Sequence, residues 1–363
     1  MWNNLGAAPK ATVREVTVIG PGYGESIVVH LGDTSWLVVD SCVDPASGDS
    51  SAALKYLTML GVDVAQAVKL IVVSHWDDDH IRGISDLLDA CPSAVFCCST
   101  SFTKREFNRF VEVLSVGGKT TGNGNVIEFK RCLTTLAERK QTIRYASPGR
   151  QISDPGPAMV KSWSPSDYDD ACFLNYVATN YPSNWGAMRR AVPGSPNLTS
   201  VVLSVDWGDG AVLLGADMEA SADQRRGWGA IVAEAKRIGY PRGEVVKVPH
   251  HGSEGAHDAR MWSELLNDLP LSIIAPVGDG LSKNRPPLSG DVRRVTSHSS
   301  ETYLTAKRVP ESVKKKEPAV ARSLRDGGIR LSPVAKNMGM VRMRKQPGGT
   351  WAAELFGAAV KAK

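Results

Sequence analysis

His75, Asp77, Asp79 and His80 fall within six positions of the stretch VSHWDDDHIRG, residues 73–83, and Asp78 completes a run of three aspartates. Imidazole nitrogens and carboxylate oxygens at this density are donors for divalent cations. Three adjacent carboxylates repel one another unless they are solvated or face a cation. Further polar residues close other apolar runs: Asp40 follows WLVV, Asp217 follows AVLLGA, and His250-His251 follows EVVKVP. Any one of these alone suits a turn or a helix cap. Together they offer ligands for two metal ions, with an aspartate from elsewhere in the chain as the bridge. Such a pair of ions, about 3.5–4 Å apart, lowers the pKa of a bound water to about 7 and stabilises both the attacking and the leaving oxygen of a displacement.

The segments around these residues have the patterns needed to hold them. Leu70-Ile71-Val72-Val73 is a short β-branched run that reads as a buried strand, and ISDLLDA after Gly83 starts a helix, so the cluster sits on a strand-to-helix loop. Residues 13–41 alternate apolar and polar, with breaks at GPGYG and LGDT, as in an antiparallel meander. A helix over 51–60, another over 84–90 and a strand at AVFCC follow. Order returns at TSVVLSVDWGDGAVLLGADME, two strands joined at Gly208-Asp209-Gly210, then a helix over 221–238, the strand EVVKVP, a helix near 258–267 and the strand LSIIAPVG. Sheet and helix recur in both halves, which predicts an α/β fold of four layers, an αββα sandwich of two mixed sheets with outer helices. Residues 1–303 would form the catalytic domain, with an insertion at about 101–196, and 304–363 a basic extension packed on it.

With 363 residues and 42% hydrophobic content the chain can build a substantial core. No apolar stretch approaches the roughly 20 residues of a membrane span, and the amino-terminal residues lack the apolar centre of a signal peptide. A cytoplasmic protein without membrane association is expected. Six cysteines, at 42, 91, 97, 98, 132 and 172, have no C-x-x-C spacing and read as reduced thiols, with Cys97-Cys98 in a strand core. The net charge of +5 is uneven: from Leu304 onward there are fourteen Lys and Arg against four Asp and Glu. Its densest run, Lys314-Lys315-Lys316, suits either a solvated loop or a contact surface for nucleic acid.

H-x-D-x-D-H at His75 to His80 resembles the H-x-H-x-D-H signature of the metallo-β-lactamase fold, with Asp77 in place of the second histidine. GPGYGESIVVHLGDTSWLVVDS resembles the opening strands of that fold, LLGAD its bridging aspartate, and KVPHHGS its last histidine. With NLTSVVL, residues 197–203, this order is most similar to the nuclease-like domain of competence DNA-uptake proteins of the ComEC type, over roughly residues 13–280 apart from the insertion. The resemblance implies two divalent ions, Mn²⁺, Mg²⁺ or Zn²⁺. His75, Asp77 and the shared Asp217 would hold the first; Asp79, His80, Asp217 and one of His250 and His251 the second, His250 being favoured. The neighbouring histidine would donate a proton to the leaving oxygen. Asp79, His250 and His251 are thus the candidate catalytic residues.

Two departures from that pattern matter. No histidine lies between His80 and His250, so the first ion lacks its third imidazole; Asn197, Asp167, Asp169 or Asp170 are the candidates to complete it. Asp77 in place of a histidine hardens the site toward manganese or magnesium. Asp78 would orient a ligand or face solvent. His30, His257 and His298 read as structural, and the glycines of GPGYGES as a turn. Aromatics at 163, 168, 176, 181, 185 and 207, beside Arg189-Arg190, suit core packing or the stacking of bases. The expected function is a nuclease cleaving DNA through a metal-activated hydroxide, with the basic carboxy-terminal region holding the strand. The rivals are a hydrolase of a lactone, thioester or cyclic nucleotide, and a non-catalytic metal-binding scaffold.

Overall fold

A computed structural model describes residues 2, 4–20, 24–44, 50–103, 124–179, 196–277, 286–306 and 338–362. The amino-terminal meander is β1 (Arg14–Gly20), β2 (Ser26–Gly32) and β3 (Ser35–Val39), followed by a small ribbon of β4 (Val43–Asp44) and β5 (Ser50–Ser51). Next come β6 (Val68–Val73), β7 (Val95–Ser99), β8 (Arg144–Ala146), β9 (Arg150–Gln151) and β10 (Met159–Ser162). The second half supplies β11 (Leu203–Asp206), β12 (Ala211–Leu214), β13 (Gly243–Lys247), β14 (Leu266–Ile274) and β15 (Glu301–Leu304). Last are β16 (Gly339–Lys345), β17 (Ala352–Gly357) and β18 (Val360–Lys361). One eight-stranded sheet runs β17-β16-β1-β2-β3-β6-β7-β8 and the other β18-β15-β14-β13-β12-β11-β10-β9. Both are mixed, with parallel pairs β3/β6 and β6/β7 in the first and β12/β13 and β13/β14 in the second.

Period-2 alternation builds three apolar layers. Val16, Val18, Ile27, Val29, Leu37, Val39, Leu70 and Val72 of the first sheet pack against Leu203, Val205, Val212, Leu214, Val245 and Ile273 of the second. Their alternates face outward: Val28, Val38, Ile71 and Val73 meet Tyr56, Leu57, Leu87, Leu88 and Phe129 from helices Ala52–Met59, Ile84–Ala90 and Gly124–Glu138. On the other side Leu213, Val246 and Ile274 meet Trp228, Ile231, Met261 and Val295 from helices Gly227–Ile238, Ala259–Leu265 and Ser289–Ser297. The architecture is therefore the expected αββα sandwich.

Several details differ from the expectation. The helix foreseen over 221–238 begins only at Gly227, because Arg226 stays extended with its guanidinium on the buried Asp169, 2.8 Å away. Within the segment read as an insertion, β8 extends the first sheet beside β7, and β9 and β10 extend the second beside β11. Beyond Leu304, β16 pairs with β1 and β18 with β15. Four basic residues of that region are held in ion pairs: Arg342 with Glu354, Arg344 with Glu15, Lys345 with Glu244 and Lys361 with Glu301. Lys314-Lys315-Lys316 lies outside the described residues. Among the described residues no helix is long and apolar enough to cross a membrane. Cys42, Cys91, Cys97, Cys98 and Cys132 are buried free thiols.

Candidate metal centre

The polar residues singled out above stand at the carboxyl ends of strands in the parallel halves of both sheets, the edge where α/β proteins place their sites. Asp40 follows β3, His75 and Asp77 follow β6, Asp217 follows β12, and His250 and His251 follow β13. Asp79 and His80 lie on the single turn Asp78–Ile81. The backbone tightens this edge. Asp40, Ala216, His250 and His251 all have positive φ, at 59°, 45°, 44° and 55°, values that non-glycine residues adopt seldom, Asp and His more readily than most.

Hydrogen bonds fix the outer nitrogen of each buried imidazole. His80 Nδ1 is 2.8 Å from Asp40 Oδ2, and Asp40 also accepts from Ser74 N at 2.7 Å and Ser74 Oγ at 2.6 Å. Since Ser74 Oγ donates its proton to Asp40, it accepts from His75 Nδ1, 2.9 Å away. His251 Nδ1 donates to Ala275 O at 2.8 Å. With each Nδ1 carrying the proton, each Nε2 offers a lone pair inward, the arrangement of metal-binding histidines. The Nε2 atoms of His75, His80 and His251 and Oδ1 of Asp217 are all buried without a hydrogen-bond partner.

These atoms converge on Asp217. Its Oδ2 lies 3.2 Å from His251 Nε2 and 3.9 Å from both His75 Nε2 and His250 Nε2, and its Oδ1 lies 3.4 Å from His80 Nε2. Asp79 Oδ2 is 3.5 Å from His251 Nε2, and Asp77 Oδ2 is 3.9 Å from His75 Nε2. Donor atoms 3–4 Å apart that do not hydrogen-bond are spaced for a common cation about 2 Å from each. The titration of the imidazoles divides between the two sides of the centre. Burial opposes charge on His80 and His251, but Asp217 and neighbouring carboxylates outweigh it, raising His80 well above its ordinary value and His251 to about 9. Burial lowers His75 to about 4 and raises Asp77 to about 6. The donor set and its buried, unpartnered atoms fit divalent cations.

Beneath the centre lies a pair that sequence reasoning missed. Lys247 Nζ is 2.5 Å from Glu25 Oε1 with both side chains fully buried, donates to Ala216 O at 3.0 Å, and is 3.7 Å from Asp217 Oδ1. Glu25 stands behind the imidazoles, 3.8 Å from His80 Nδ1 and 3.6 Å from His251 Nδ1. Gly24 permits this approach: its φ is 100°, and a Cβ there would lie 2.8 Å from Asp79 O. The available signals were a lysine inside the apolar run EVVKVP and a glutamate opening the strand SIVVHLG.

Other candidates are engaged elsewhere. Asp169 accepts from Arg226, from Ser166 Oγ at 2.8 Å and from Gly227 N, and Asp170 from the hydroxyls of Thr100 and Ser101. Asp167 is exposed at the start of helix Asp167–Thr179. Of the four residues considered for completing the first ion, the structure brings only Asn197 to the centre, with Nδ2 3.5 Å from His250 Nε2. Asp78 faces outward to Arg82 at 2.6 Å. His251, not the favoured His250, stands beside Asp79 and His80. Trp163 and Trp207 are bonded within the fold, to Ser204 Oγ and Leu31 O, while Tyr181, Trp185 and Arg189-Arg190 lie outside the described residues. His30 bridges two backbone carbonyls, and His257 and His298 pack around Trp262.

No protein-family model and no curated protein sequence matches the chain. Among solved structures it is similar to the metallo-β-lactamase fold protein YhfI from Bacillus subtilis, with 14% identity, TM-score 0.43, and coverage of 80% of this chain and 95% of that one. It is also similar to MEM-A1, a subclass B3 metallo-β-lactamase isolated from a soil metagenome library, with 14% identity, TM-score 0.36, and coverage of 74% and 90%. A third, the hydrolase AbOPH in the beta lactamase superfamily, has 14% identity, TM-score 0.36, and coverage of 63% and 83%.

Proposed function

We propose that the protein is a metal-dependent hydrolase of phosphodiesters, with DNA as its substrate. The observation that carries the hydrolase reading is the convergence of buried, unpartnered Nε2 atoms of His75, His80 and His251 on Asp217. Asp79, His80, His251 and Asp217 would hold one ion, and His75, Asp77 and Asp217 offer donors for another. Two divalent cations there would activate water near neutral pH and neutralise charge on a phosphoryl oxygen.

The protein's own groups set the rest. Asp40, Ser74 and Ala275 O lock the imidazoles, so the donors need little rearrangement when a cation arrives. Access is from one side: the side chains of Asp77 and Asp79 are 39% and 18% exposed, whereas those of His75 and His80 are fully buried. Three carboxylates, Asp77, Asp79 and Asp217, set against two divalent ions leave a positive balance suited to an anionic substrate. Residues 307–337 carry nine Lys and Arg against three Asp and Glu, which supports contact with a polyanion. The motif order, which resembles the nuclease-like domain of ComEC-type proteins, supports DNA over other phosphodiesters.

The test is degradation of end-labelled single- and double-stranded DNA with Mn²⁺, Mg²⁺, Zn²⁺ or EDTA, beside an Asp79→Ala, His80→Ala variant. Cleavage that requires a metal and vanishes in the variant is expected. A metal-loaded protein that cleaves neither DNA nor RNA sinks the substrate assignment, and hydrolysis of cyclic nucleotides, lactones or thioesters instead would redirect it. A protein that takes up no metal sinks the hydrolase reading itself.

A further inference from the structure

The centre as described gives one ion four protein donors and the other only three, with no third histidine in the chain between His80 and His250 to complete it. We propose that His250 is the missing ligand, so that the two consecutive histidines serve different ions: His250 with His75, Asp77 and Asp217, and His251 with His80, Asp79 and Asp217. This rests on the metal-centre reading above and assigns His250 as a ligand rather than as a proton donor to the leaving group.

Three independent features carry it. The first is the orientation of the ring. His250 Nε2 is 3.9 Å from Asp217 Oδ2, the same separation and the same oxygen as for His75 Nε2. The second is the state of the inner nitrogen. His250 Nδ1 faces Glu219 Oε1 at 3.3 Å, and Glu219 is in turn held by Asn197 Nδ2 at 2.8 Å. Asn197 Nδ2 also lies 3.5 Å from His250 Nε2, where it can only donate, so Nε2 carries the lone pair. His250 therefore shares with His75, His80 and His251 an inner Nε2 lone pair toward Asp217, although its Nδ1 is buried without a hydrogen-bond partner and its Nε2 has Asn197 beside it. The third is the backbone. His250 and His251 are both left-handed, at φ 44° and 55°, and Gly252 continues at 83°. In an extended strand, adjacent side chains point to opposite faces. The left-handed pair instead brings both rings to Asp217, with centroids 6.0 Å apart.

An acid role would leave His250 dispensable for metal uptake. The distinguishing experiment is therefore metal stoichiometry of the full chain, by equilibrium dialysis against Mn²⁺ and Zn²⁺ with elemental analysis, and by the exchange-coupled Mn²⁺ resonance signal. Wild type should hold two ions per chain. His250→Ala should hold one, with the coupled signal replaced by that of an isolated Mn²⁺. Glu219→Gln, which keeps the ring but removes the charge 3.3 Å from its Nδ1, should loosen one ion and leave the other unchanged. His250 is partly exposed, so its variants should fold, and His250→Gln, closer in bulk, serves as a check by circular dichroism.

Two ions bound with unchanged affinity in folded His250→Ala and His250→Gln would overturn the proposal, all the more if only the basic limb of the pH–rate profile moved. Loss of both ions from a folded chain would overturn the assignment of His250 to one ion alone. A wild-type chain that binds no ion fails at the earlier step, the metal-centre reading, and takes this proposal with it.

Discussion

Replacing Lys247 with methionine should destabilise the metal-free protein far more than a loss of surface charge would. Methionine keeps most of the lysine stem's volume, so no large cavity forms in the fully buried site. What is lost is the ammonium 2.5 Å from Glu25 and its bond to Ala216 O. Glu25 is then a buried carboxylate beside two imidazoles, without a full counter-charge. Breaking a buried pair from one side costs about 3–5 kcal/mol, a large part of the roughly 5–15 kcal/mol that stabilises a typical domain. Glu25→Gln should cost less, because Lys247 retains Asp217 at 3.7 Å. The double variant Lys247→Met, Glu25→Gln should recover most of the loss, since no charge is left stranded. Guanidinium unfolding of EDTA-treated protein, with all four members of the cycle, measures this. A Lys247→Met penalty below about 1 kcal/mol, or a double variant equal to the sum of the singles, would refute the view that the pair acts as one buried unit.

Further expectations follow from individual contacts. Asp40→Asn removes an acceptor shared by His80 Nδ1 and the Ser74 hydroxyl, so metal affinity measured by chelator competition should fall about 10–100-fold with the fold intact. Gly24→Ala forces a Cβ toward Asp79 O at a left-handed position, and thermal unfolding should show a loss of about 1–3 kcal/mol. Asp258 caps helix Ala259–Leu265 through Arg260 N, so Asp258→Ala should cost about 0.5–2 kcal/mol. Its hydrogen bond with Arg260 holds the Asp258 carboxyl below its ordinary 3.8. The contribution is therefore present above that value and lost as pH falls through the lower folded one, so wild type and variant should converge in acid.

The sandwich was legible because nearly every strand faces two different apolar layers and writes an alternation into its residues, as WLVV and VKLIVV do. The donor cluster was legible because four of its members are neighbours in sequence. What sequence could not decide was set by torsion angles and by distant partners. His250 and His251 are identical residues side by side, and only the left-handed turn sets where each ring lies. Asp169 looked available because its partner Arg226 lies 57 positions away. Lys247 and Glu25 are 222 residues apart, and neither type signals burial on its own. The basic surplus after Leu304 counted Arg342, Arg344, Lys345 and Lys361 as surface charge, although each is paired within the fold.

The pairing of β1 with β16 also bears on how the protein is made. Arg14–Gly20 is flanked on one side by Ser26–Gly32 and on the other by Gly339–Lys345. During synthesis at about 5–20 residues per second, the first flank emerges almost at once, whereas the second follows after roughly 15–65 seconds. Every candidate donor residue precedes Gly252, so all of them are synthesised while one edge of β1 is still bare. That edge belongs to REVTVIG, an alternating apolar strand of the kind that recruits other strands. The nascent chain therefore passes through an interval in which the candidate ligands have all been made but the sheet beside them is still open along one edge of β1.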